Sequence, residues 1–272
     1  MVVRRLLGMF APRDNTATDR PPRLTRDVSP ARIYAIGDVH GCLDLLKRIE
    51  AQIVADAEGE PGDKLIVMVG DLVDRGPASA QVIDHLLAPP PAGFERICLR
   101  GNHEDMMLAF IRDPRRGAVW LDNGGRETLL SYGLPADTLL RGVARRVLEN
   151  LINSHVPAEH IEFLEALPVL LDTPDAIFVH AGLRPGIKLA AQSDEDLIWF
   201  RDRYESDYSE FGRPVVHGHT PRTEALVTPH RIAIDTGAYL NGRLTAVRLM
   251  PGVEPVLLSA ANEVSPGHTR RD

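Results

Sequence analysis

The chain has 272 residues, 44% of them hydrophobic, with 22 glycines and 21 prolines, enough to bury a substantial core in one large domain. Its two cysteines, Cys42 and Cys98, exclude a disulfide framework and a cysteine-rich zinc site and predict a reducing, cytoplasmic compartment. The formal net charge of −7 argues against non-specific nucleic-acid binding, and no apolar run is long enough to span a membrane.

Residues 1–30, rich in proline and charge, read as a flexible arm whose apolar piece is too short for a signal-peptide core. One domain is expected over 31–260, followed by a loose tail over 261–272. "RIYAI" (Arg32–Ile36) is a β-like run, ended by "GDVHG". Leu45, Leu46, Ile49, Ile53 and Val54 then recur at helical spacing. "KLIVMV" (Lys64–Val69) is a continuous apolar run, as in a strand buried on both faces, and "GDLVDRG" ends it. Pro77 suits the first turn of the next helix. "ERICL" reads as a third strand, ended by "RGNHE". This alternation predicts parallel βαβ units with the polar loops on one sheet edge, where ligands bind.

From about 104 to 167 the chain reads mostly helical, with a start signal at Pro157, and is expected to cover the sheet as a helical insert. The arginines of "DTLLRGVARRVLENLI" read as a solvated face. The second half is strand-rich. "AIFVH", "PVVHGHT", "EALVT", "RIAID" and "RLTAVRL", with an "NG" turn at Asn241 and Gly242, predict a second, largely antiparallel sheet. The expected class is α/β with α+β elements: two sheets with helices outside.

Five loops stand out: "GDVHG" at 37–41, "GDLVDRG" at 70–76, "GNHE" at 101–104, "HAG" at 180–182 and "HGHT" at 217–220. They supply Asp38, His40, Asp71, Asn102, His180 and His219, nitrogen and oxygen donors without a thiolate, which suit manganese, iron or zinc. Six donors suit two metals ~3.5–4 Å apart that share one carboxylate. The glycines are expected at turns with positive φ. A lone aspartate after a strand is commonly a helix cap or a turn, and a lone histidine is commonly structural. Five such loops at strand ends outweigh that reading.

As an ordered set these loops resemble the PPP superfamily of metal-dependent serine/threonine protein phosphatases, above all its bacterial and phage branch, from about Ile33 to Leu249. The resemblance implies a calcineurin-like β-sandwich of two mixed sheets flanked by helices, with a dinuclear metal centre. It implies that Asp38 and His40 hold the first metal, that Asp71 bridges, and that Asn102, His180 and His219 complete the second. Arg75, Asn102 and Arg201 would bind the phosphate, with Arg203 close to the last of these. His103 would be the general acid, supported by Asp74. The implied reaction is phosphomonoester hydrolysis by in-line attack of a hydroxide held by two divalent metals, manganese first among them. The implied partner is a phosphorylated protein or peptide, met by a monomer with no membrane or nucleic-acid partner. His217 matches no ligand, and Cys42, at a helix start that favours thiolate, is given no catalytic role. The alternative is a bis(5'-nucleosyl)-tetraphosphatase, which shares the metal loops. Asp74 weighs against it here, because the symmetrical tetraphosphatases usually lack that acid. A metallonuclease would offer more histidines in its last loop, and a silent binding module would have lost a ligand or the acid.

Overall fold

The computed structural model describes residues 20–115, 117–136, 144–202 and 206–262. Arg203, the start of "DTLLRGVARRVLENLI" and the end of the expected tail lie outside these residues. Two mixed sheets stack face to face. One holds β2 (Arg32–Ile36), β3 (Lys64–Met68), β4 (Phe94–Cys98), β10 (Arg243–Met250) and β11 (Val253–Ala261) in the order β11-β10-β2-β3-β4. The other holds β1 (Arg23–Thr25), β5 (Leu170–Asp172), β6 (Ile177–Val179), β7 (Val215–His217), β8 (Leu226–Val227) and β9 (Arg231–Ala233) in the order β1-β5-β6-β7-β9-β8.

Strand alternation builds the layers. In β2, Ile33 and Ala35 face the space between the sheets, whereas Tyr34 and Ile36 face the helices. In β3, Leu65 and Val67 point inward while Ile66 and Met68 point to the helices. The second sheet answers with Phe178, Val216 and Ile232 in the shared core and with Ile177, Val179 and Val215 in an outer one. The helices that cover the first sheet are α1 (Leu43–Asp56), α2 (Ser79–Leu87), α3 (Asn102–Arg112), α4 (Gly125–Ser131), α5 (Arg145–His155) and α6 (Ala158–Ala166). The short α7 (Asp194–Trp199) covers the second sheet, and α8 (Ala238–Asn241) precedes β10. Among the described residues no helix is long and apolar enough to cross a membrane.

Four expectations change. Within the arm expected over 1–30, whose residues 1–19 lie outside the described ones, Arg23–Thr25 pairs in parallel with β5, and Arg23 donates to the Gln192 carbonyl (2.7 Å) and pairs with Asp194. A three-residue edge strand leaves no periodicity to read. The second sheet is not largely antiparallel, because β1–β5, β6–β7 and β7–β9 all pair in parallel. Its expected member "RLTAVRL" is β10, which pairs antiparallel with β2 in the first sheet. Gly242 (φ 63°) ends α8 rather than making a hairpin, so the chain crosses from one sheet to the other there.

Phe178 is fully buried between the sheets. Phe178→Ala is expected to cost about 3–5 kcal/mol. Chemical denaturation checks this, through a lower midpoint at unchanged slope.

Candidate metal centre

The parallel strands β2, β3, β4, β6, β7 and β9 bring their carboxyl ends to one side, and all five polar loops meet there. The backbone is strained where it matters. His40 (φ 44°), Asp71 (49°), Asp74 (75°), Arg75 (69°) and His219 (68°) all adopt the left-handed region that non-glycine residues avoid. Positive φ thus falls on the donors themselves as well as on neighbouring glycines. Gly101 and Gly218 serve another purpose, close approach. A Cβ on Gly101 would lie 2.2 Å from Asp71 Oδ1, and one on Gly218 1.8 Å from Asp38 Oδ1.

Asp71 sits between two compact donor groups: His40, Asp71 and His103 on one side, and Asp71, His180 and His219 on the other. Its Oδ2 is 3.6 Å from His40 Nε2, and its Oδ1 is 3.3 Å from His180 Nε2. The His180 Nδ1–H donates to the Val69 carbonyl (2.9 Å), which turns Nε2 toward Asn102 Oδ1 (3.0 Å) and His219 Nδ1 (3.2 Å). His219 Nδ1 is 2.8 Å from the same Asn102 oxygen. Ligand atoms ~2.1 Å from one ion stand ~3.0–3.4 Å apart, so these spacings match a shared divalent cation. On the other side the His40 Nδ1–H donates to Val73 (2.9 Å), and Nε2 keeps a lone pair that accepts from Arg75 (3.0 Å).

Asp38 stands outside both compact groups, yet it belongs to the cluster. Its Oδ2 accepts from the His219 backbone N–H (3.0 Å), while its buried Oδ1 has no hydrogen-bond partner. Burial, with Asp235 and Asp71 nearby, pushes its pKa well up. Burial also holds the His40 and His219 imidazoles neutral, at about 3 each. Neutral imidazoles beside crowded carboxyls with unused buried lone pairs suit divalent cations. The donors fit two such ions, with Asp38, His40 and Asp71 toward one and Asp71, Asn102, His180 and His219 toward the other.

His103, although within the first compact group, is engaged by a second carboxylate. Its Nδ1–H donates to Asp74 Oδ2 at 2.6 Å. Burial alone would lower its pKa, but Asp71 and Asp74 more than offset this and raise it. Asp74 is itself held on every side. Trp120 Nε1 donates to Oδ2 (2.7 Å), the Thr128 hydroxyl donates to Oδ1 (2.7 Å), and its own N–H reaches Ser79 (3.0 Å) and Thr128 (2.9 Å). Arg75 lies on the ring of Tyr239, 4.6 Å from its centroid, and shares a cleft with Asn102, His103 and Arg201. His217 is buried, belongs to neither compact donor group and is kept neutral at about 3 by burial and by Arg231, whose Nε donates to it (3.0 Å). Cys42 is no thiolate: burial pushes its thiol to about 11.

Four residues escaped the sequence reading. Glu104 was quoted in "GNHE" but given no task. Its carboxylate accepts the backbone N–H groups of Asp71 (3.0 Å), Leu72 (2.7 Å), Val73 (3.2 Å) and Gly101 (2.7 Å). Asp235, at the end of "RIAID", is buried with one oxygen unpartnered, and burial raises it to about 6. An apolar run ending in an acid was the available signal. Trp120 and Thr128 carried no local signal.

The chain belongs to the calcineurin-like phosphoesterase family, whose model matches residues 31–243. Hydrolases of this family use a dinuclear metal site, and the donor groups above fit one. The chain is similar to the asymmetrical bis(5'-nucleosyl)-tetraphosphatase PrpE of Oceanobacillus iheyensis, at 28% identity over 80% of this chain and 88% of that protein. Among solved structures it resembles one provisionally described as a diadenosine tetraphosphatase (TM-score 0.60, 22% identity, 89% of this chain and 100% of that one). It also resembles a protein serine/threonine phosphatase from Saccharomyces cerevisiae (TM-score 0.57, 16% identity, 91% and 86%). At these identities the structures attest to the fold alone.

Glu104→Gln would turn an amide NH₂ toward backbone donors that need an acceptor. Affinity for Mn²⁺ is expected to fall about 10–100-fold, as for other residues that orient ligands, while far-UV circular dichroism stays unchanged. Titration with metal analysis of the dialysed protein checks it, and affinity within threefold of wild type counts against the role.

Proposed function

We propose that the chain hydrolyses the phosphoanhydride bridge of bis(5'-nucleosyl) tetraphosphates asymmetrically, releasing a nucleoside monophosphate and a nucleoside triphosphate. The observation that carries this is the similarity to the tetraphosphatase PrpE, which extends over most of both chains. It favours the alternative named above over the serine/threonine phosphatase, and Asp74 does not decide between them. Two divalent ions, manganese in our reading, would polarise the phosphate oxygens and acidify a bound water. Arg75 and Arg201 bind and orient the phosphates from one cleft, and a guanidinium grips such oxygens in pairs. His103 presents a proton on Nε2 because Asp74 fixes its Nδ1 side, and Trp120 and Thr128 fix Asp74.

A second reading has one specific support. The His103–Asp74 pair is an acid built for a poor leaving group, and a phosphate ester of a protein side chain has one. A nucleotide phosphate, with its second pKa near ~6, leaves without such help.

On diadenosine tetraphosphate with Mn²⁺, equal amounts of AMP and ATP are expected by anion-exchange chromatography, at a higher kcat/KM than on a phosphoserine peptide. Two ADP would overturn the asymmetry of the cleavage, and a faster phosphoserine reaction would reverse the order of the two readings. His103→Asn is expected to slow phosphoserine hydrolysis by about 10²–10⁴ and tetraphosphate hydrolysis far less. An equal loss on both would deny His103 its role as acid.

A further inference from the structure

Among the described residues the exposed aromatic side chains are Trp199 (39%) and Tyr239 (36%), and both stand at the catalytic cleft. Tyr239 is taken up by Arg75 and by the edge of His40, whose ring centroid lies 5.0 Å away. Among the described residues Trp199 has no such engagement. It ends α7, two residues before Arg201, and lines a cleft of about 380 Å³ with Arg75, Asn102 and His103. Met106, Ala109 and Val119, the last 63% exposed, complete the apolar lining there. A cleft of this size falls in the range of small-molecule sites, roughly 300–1,000 Å³. A phosphate-binding floor beside an exposed indole selects a ligand with a polyanionic part joined to a flat apolar one. Each nucleotide half of a dinucleoside polyphosphate is such a ligand. Base-on-indole stacking is tolerant of base identity because every base offers a π-face.

We infer that Trp199 is the platform on which one nucleobase of the substrate stacks while Arg75 and Arg201 hold the adjoining phosphates. This rests on the tetraphosphatase reading and assigns its specificity for nucleotides over plain polyphosphate to one side chain. Tyr239 is committed to orienting Arg75, so the base is held on the Trp199 side of that guanidinium.

The test compares diadenosine tetraphosphate with inorganic tripolyphosphate, which offers the same anhydride without a base. With Trp199→Ala, KM for the dinucleotide is expected to rise about 10-fold with kcat within threefold, while tripolyphosphate kinetics stay within threefold. Trp199→Phe should keep most of the dinucleotide affinity, because a flat ring remains. A second readout needs no turnover. The chain has two tryptophans, and the other, Trp120, is fully buried. AMP added to the metal-loaded protein should therefore quench its fluorescence, and the quench should vanish in Trp199→Phe. An unchanged dinucleotide KM in Trp199→Ala, or equal losses on both substrates, overturns the platform. If diadenosine tetraphosphate is not hydrolysed at all, the tetraphosphatase reading fails by itself, and the AMP quench still decides whether Trp199 meets a base.

Discussion

Four backbone N–H groups converge on the Glu104 carboxylate, and the rest of the site hangs from that convergence. Charge-assisted bonds of this kind are roughly twice as strong as neutral ones. They lock the loop after β3 onto the start of α3. That loop then carries the next: the Asp71 carbonyl accepts from Val39 (3.1 Å) and His40 (2.8 Å), and the Leu72 carbonyl from Gly41 (2.9 Å). The second sheet joins through the same strand end, where Val69 receives the His180 imidazole, and through Asp38, which receives the His219 N–H. A strained φ at five functional residues can persist only because this chain of bonds over-determines the backbone.

The arrangement is costly without cations. Asp38, Asp71, Glu104 and Asp235 are all buried at one end of the sandwich, and burial together with mutual repulsion raises Asp38, Glu104 and Asp235. Asp71 escapes because His180, His103 and His40 surround it, which holds it well below the usual carboxylate range despite the burial. A group of acids and neutral imidazoles in low dielectric gains from divalent charge what it cannot gain from water. Stability must come from elsewhere, namely the three apolar layers that the alternating strands create. Division of labour between a rigid apolar sandwich and a strained polar edge is what an α/β sheet end offers.

Much of this was legible in the sequence because strand and loop chemistry are local. "RIYAI" and "KLIVM" are β2 and β3, each followed by its donor loop. Asp38, His40, Asp71, Asn102, His180 and His219 do come together. Asp235 repeated the same device, an apolar run ending in a polar residue, but Thr236 separates it from Gly237, so it lacks the adjacent glycine that marks the other five loops. Sheet membership of β10 was illegible for another reason. Nothing local distinguishes a glycine that turns a hairpin from one that caps a short helix between two sheets. Trp120 and Thr128 reach Asp74 across 46 and 54 residues, and a contact of that span leaves no periodic trace.

That last contact changes how the helical section bears on function. Trp120 lies in a short 3₁₀ segment, Gly117–Asn123, and holds Asp74 from within the core. Its neighbour Val119 points the other way and lines the cleft beside Arg75 and Arg201, as does Asn123 at the segment's end. One short segment therefore fixes the carboxylate behind His103 and shapes a wall of the cleft. A shift of this segment to suit a different ligand would also move the Trp120 indole against Asp74, and with it the orientation of His103. The orientation of His103 and the shape of the cleft wall are thus mechanically tied.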